Sequence, residues 1–126
     1  MQPSKVLCFN IDGEALKKVQ AAASAVGAET IAVPQSDFSQ TPGALIGVLP
    51  RENKMCFSPF QEPMLIMSGF DRAKMDAFLD TLKKEGVYIP YKAMVTPVNL
   101  TWQCDALIEE LKKEHEQMKK MRQKNE

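Results

Sequence analysis

Met64 to Tyr91, MLIMSGFDRAKMDAFLDTLKKEGVYIPY, decides the fold. Met64 to Met67 is an apolar run between Pro63 and Gly69, too short for a helix and suited to a strand buried on both faces. Asp71 then stands as an N-cap. Met75, Phe78, Leu79 and Leu82 follow at helical spacing, with Arg72 and Asp76, and Asp80 and Lys84, four apart on the outer faces. Gly86 comes just after Lys83 and Lys84, where a C′ glycine and cations at the negative end of the helix dipole both belong. Val87 to Val95 resumes β-type residues, and Pro90 assigns that strand to an edge or a bulge.

The same order of signals occurs earlier in the chain. Lys5 to Phe9 is a strand, Asp12 is placed to cap a helix, and Ala15, Leu16, Val19, Ala22, Ala23 and Val26 line one face of it before Gly27. Thr30 to Val33 is a short strand ended by Pro34. A single offset of fifty-nine residues places Asp12 on Asp71, Leu16 on Met75, Val19 on Phe78 and Gly27 on Gly86. Each unit is followed by Thr-Pro, at Thr41-Pro42 and Thr96-Pro97. An internal pseudo-repeat (5–49 and 64–111) is one reading; the general likeness of any two βαβ units is the other.

The expected fold is therefore α/β (α+β), a two-layer sandwich of two βαβ units. It is of ferredoxin-like type, with about four strands covered by helices on one face and a long C-terminal helix. A small doubly wound parallel sheet is the rival, and right-handed crossovers are expected in both. Residues 1–111 form one domain in this reading, and 112–126 a charged helical extension or tail.

Composition narrows the function. The chain has 126 residues, 44% of them hydrophobic, with 16 basic and 16 acidic residues. That balance supplies no global field for nucleic acid or an acidic membrane. Cys8, Cys56 and Cys104 are odd in number and widely spaced, which speaks for reduced thiols in the cytoplasm. The N-terminal residues do not form a signal peptide, and no stretch approaches the ~18 apolar residues of a membrane span.

Arg51 to Pro63, RENKMCFSPFQEP, is the least regular segment. Its prolines and charges mark a loop, and Phe57 and Phe60 are expected to pin it to the body as a surface crossing rather than a mobile lid. The last element runs from about Asn99, with Leu100, Cys104, Leu107, Leu111, Glu114, Met118 and Met121 in alternating steps of four and three. Met118 and Met121 are the candidate contacts for a protein partner or a second copy of the chain.

Candidate chemistry is sparse. Cys104 and His115 are eleven residues apart, roughly 16 Å along a helix at ~1.5 Å per residue, and cannot share a metal ion. His115 is therefore read as a surface residue. Glu109 with Lys113 and Glu116 with Lys120 have the spacing of a solvated helix face. The strand-to-helix turns, Asn10 to Gly13 and Ser68 to Asp71, lack a GxGxxG or P-loop pattern, and each holds an aspartate that repels phosphate. Lys92, Thr96, Asn99 and Trp102 form the most suggestive cluster, polar groups gathered at a helix start beside one large aromatic.

Taken together, Lys5 to Gly13, TPGALIG at Thr41 to Gly47, MLIMSGF at Met64 to Phe70, Asp76 with Phe78 and Leu79, Lys92 to Pro97, Asn99, Trp102 and EELKKEHEQM at Glu109 to Met118 resemble a family of small bacterial proteins. That family is catalogued as domain of unknown function number 3783. The resemblance covers nearly the whole chain, is strongest from Met64 to Met118, and implies a bacterial cytosolic protein of a gut-type anaerobe. It carries no activity, cofactor or catalytic residue. The sequence thus points first to a non-catalytic binding or interaction module and second to a small-ligand-sensing regulatory domain. An enzyme comes last, because nucleophile, base and metal signatures are missing; no cofactor is implied.

Overall fold

A computed structural model describes residues 3–124. Along the chain run β1 (Lys5–Phe9), α1 (Gly13–Ala25), β2 (Glu29–Ala32), a 3-10 turn (Gln35–Asp37) and α2 (Pro42–Leu45). They are followed by β3 (Met64–Ser68), α3 (Arg72–Lys84), β4 (Tyr91–Met94), a second 3-10 turn (Asn99–Thr101) and α4 (Cys104–Lys124). The four strands form one mixed sheet in the order β2-β1-β3-β4. Pairing is parallel within each βαβ unit and antiparallel between them, with Lys5 opposite Ser68 and Phe9 opposite Met64. The mixed α+β class, the four strands and the long last helix are as the sequence predicts. Each unit's two strands lie side by side, so neither βαβ unit is split by an inserted strand.

The central strands explain the layering. KVLCF and MLIMS alternate apolar with apolar, so both sheet faces need cover. Val6, Cys8, Leu65 and Met67 meet Val19, Ala22 and Ala23 of α1 and Phe78 and Leu82 of α3. Leu7, Phe9, Met64 and Ile66 face the other way, onto Phe38, Ile46, Cys104, Leu107 and Ile108. Helices were expected on one face; α4 and the α2 region add a layer on the second. Two apolar faces left half-open would expose the core to water.

Local boundaries follow from caps. Asp71 accepts a hydrogen bond from the Lys74 backbone N–H at 2.7 Å and starts α3. Asp12 holds the N-cap position of α1, but its side chain makes no capping bond. Gly27 and Gly86 close the two helices in the left-handed region, both at φ +75. Only Tyr91–Met94 of the Val87–Val95 stretch is strand, because Pro90 has no N–H to give to a ladder. The last helix begins at Cys104 rather than near Asn99. Asn99 and Thr96 cap each other, and Trp102 is extended at ψ 141, which breaks the helical run.

The Arg51–Pro63 loop is tied down by polar side chains as well as by an aromatic. Buried Gln40 donates to the Glu52 carbonyl at 2.8 Å and accepts from the Glu52 N–H at 2.9 Å. Asn10, in the left-handed region at φ +58, donates to the Phe60 and Glu62 carbonyls at 2.8 and 3.0 Å. Phe60 stacks on Phe38 at 4.5 Å between ring centroids. Phe57, expected to help pin the loop, instead stands 89% exposed.

Candidate functional site

The site on the second face is built by α4. Its first backbone N–H groups are satisfied from outside the helix: Cys104 donates to the Gln40 carbonyl at 3.0 Å and Asp105 to the Phe38 carbonyl at 3.1 Å. Ser39 donates to the Asp105 carboxylate at 2.8 Å. This dock sets the direction of the helix over the sheet. Cys104, Leu107 and Ile108 are buried, and Leu111 is half-buried against them. One turn later His115 meets the Tyr91 ring edge-on at 5.6 Å. The expected surface histidine is thus half-buried, and it takes the inward position that the four-three spacing assigned to Glu114, which is exposed.

Lys112 bridges to Glu62 at the end of the loop. The Lys112 hydrogen bond holds the Glu62 carboxyl below the usual carboxylate range, and the same bond raises the Lys112 ammonium. Beyond this bridge the helix leaves the body. Glu116 to Met121 are all exposed, Met118 at 57% and Met121 at 65%. Ion pairs on α4 run from Glu109 to Lys112 and from Glu110 to Lys113, three residues apart rather than the expected four. Among the described residues no salt bridge reaches Glu114, Glu116, Lys119 or Lys120.

The cluster of Lys92, Thr96, Asn99 and Trp102 does not assemble into one pocket. Thr96 and Asn99 spend their polar groups on each other: each accepts the other's backbone N–H, at 3.0 and 2.8 Å, and the Asn99 amide donates to the Met94 carbonyl at 2.9 Å. Leu100 in that turn packs into the α4 side of the core, and the turn rests on α2. Trp102, beyond it, is 39% exposed. Lys92 lies on the opposite face, where it lines a hollow of ≈ 400 Å³ with Leu79, Leu82, Lys83, Gly86, Val87, Tyr88 and Ile89. Its ammonium donates to the Ile89 carbonyl at 2.6 Å and sits 6.0 Å from the centre of the Tyr88 ring. Desolvation there lowers the Lys92 pKa from its ordinary value.

Cys8 and Cys104 are buried free thiols, pushed up by desolvation, Cys8 to about 12. Neither is a thiolate nucleophile at neutral pH. Among the described residues no group of His, Cys, Asp and Glu converges to hold a metal ion, and no helix is long and apolar enough to cross a membrane.

Residues 63–118 match the family described as Domain of unknown function (DUF3783). The resemblance found in the sequence is shown over this stretch. The matched stretch starts one residue before β3 and ends at Met118, so it takes in α3, β4, the Lys92 hollow and the docked part of α4. No curated protein and no solved structure matches the chain.

The sequence reading missed the other walls of the hollow, Tyr88 above all. The signal was present in Val87-Tyr88-Ile89-Pro90: apolar residues between a helix-ending glycine and a proline, with no strand partner to cover them.

Proposed function

We propose that the chain is a non-catalytic interaction module that pairs with a second copy of itself through the outer half of α4. One observation carries this reading: the stripe that docks α4, from Cys104 through Leu111 to His115, runs on past the sheet into exposed Met118 and Met121. Methionine is the apolar side chain best able to repack against a partner. A second copy fits the charge order. Glu114 and Glu116 precede Met118 while Lys119 and Lys120 follow it, and all four are without salt bridges among the described residues. An antiparallel copy reverses that order and sets acid against base, as helix dipoles also favour. The three free cysteines support a reducing, cytoplasmic setting.

Sedimentation velocity over a range of micromolar concentrations tests the pairing. The expected result is a concentration-dependent dimer that Met118→Glu with Met121→Glu converts to a monomer of unchanged helix content. A wild-type chain that stays monomeric throughout overturns the reading.

A further inference from the structure

We propose that the hollow between the C-terminal half of α3 and the Gly86–Lys92 segment binds a small amphipathic monoanion, an apolar body carrying one carboxylate. The floor is apolar: buried Leu82 and Ile89, with Leu79 and Val87 half-buried around them. Tyr88 is 77% exposed, an aromatic wall that meets the Lys92 ammonium at 6.0 Å and otherwise stands open to solvent.

The rim supplies the charge. Lys83 and Lys92 line the same hollow, and among the described residues neither has a carboxylate within salt-bridge distance. Lys92 gives one hydrogen to the Ile89 carbonyl, which fixes the ammonium and leaves two donors for a ligand. Asp80, one helical turn before Lys84, lines a neighbouring depression with Lys83, so a ligand of high negative charge is disfavoured and a monoanion suits the balance. A volume of ≈ 400 Å³ is in the ~300–1,000 Å³ range of small-molecule sites. Bound carboxylate would offset the desolvation that lowers Lys92. The hollow lies on the α1 and α3 face, away from α4, so its occupancy is independent of pairing through Met118 and Met121.

Phenylbutyrate, phenylbutyramide and phenylbutylamine share one apolar body and differ in charge. Titrating each into the full-length chain and following backbone amide resonances separates the terms. Expected are saturable shifts confined to Leu79–Lys83 and Gly86–Lys92 for the carboxylate, with the amide and the amine about tenfold weaker. Lys92→Met should weaken the carboxylate about tenfold while keeping the amide's affinity. Tyr88→Ala, at an exposed position where folding is not at stake, should weaken all three. Equal binding of the three probes, shifts centred elsewhere, or no saturable shift at millimolar carboxylate overturns the proposal.

Discussion

Leu7 and Ile66 face each other directly across the antiparallel junction of β1 and β3, and they are also fifty-nine residues apart. The same offset carries β1 onto β3 and α1 onto α3, from Lys5 to Met64 and from Gly13 to Arg72, with equal lengths. A local two-fold axis therefore passes between these two side chains. Both are fully buried on the α4 face, where α4 crosses a sheet whose two halves are alike beneath it.

Equivalence predicts equal cost. Leu7→Ala and Ile66→Ala should each destabilise by about 3 kcal/mol, and the two should agree to within about 1 kcal/mol. Urea denaturation checks this. A cost for one that is less than half the other would show that α4 loads the two halves unequally.

Capping separates the two helices where the sequence made them look the same. Asp71→Ala should cost about 1 kcal/mol, because it removes the bond to the Lys74 N–H. Asp12→Ala should stay within ~0.5 kcal/mol, since the Asp12 carboxylate caps nothing. Thermal unfolding of both variants is the measurement, and equal losses would contradict the geometry.

Asn10 is the tether of the long loop. Its amide holds the Phe60 and Glu62 carbonyls and accepts from Gln35 at 3.0 Å, all from a left-handed backbone. Asn10→Gly keeps that backbone accessible and removes all three bonds, so it should cost about 2 kcal/mol and open the Arg51–Pro63 loop to protease. Cleavage elsewhere in the native chain, with the loop intact, would argue against this role.

The pH dependence of the Glu62–Lys112 bridge has a definite sign. Glu62 is lowered, so its contribution is complete above its ordinary 4.5 and disappears as pH falls through the lower folded value. Lys112 is raised, so its contribution is complete below its ordinary 10.5 and disappears as pH rises through the higher folded value. Both groups are partly exposed, which limits the bridge to roughly 0.5 kcal/mol. The melting temperature of Glu62→Gln should trail wild type by a constant amount between those limits and converge with it in acid. A gap that widens in acid would reverse the assignment.

How much was legible in the sequence follows from how local each signal is. Strand β3, the Asp71 cap, the Gly27 and Gly86 stops and the span of α3 were all readable, because each depends on neighbours within a few residues. The second covering layer was not. Nothing local in Cys104–Ile108 says that its N–H groups will dock on Phe38 and Gln40, more than sixty residues away. The Lys92 cluster failed for a related reason: Thr96 and Asn99 carry good polar groups, but a turn consumes them locally, whereas Lys92 finds Leu79 and Tyr88 through the fold. His115 looked like a surface residue because its partner, Tyr91, is on another element.

The most direct test of the central claim is an isotope-filtered NOE experiment on a mixture of methyl-labelled and unlabelled chains. Pairing through α4 predicts intermolecular contacts from the Met118 and Met121 methyl groups to the same segment of the other copy, lost in the Met118→Glu, Met121→Glu variant. Methyl groups that show contacts only within their own chain, at concentrations where sedimentation finds a dimer, would place the interface elsewhere and contradict the account.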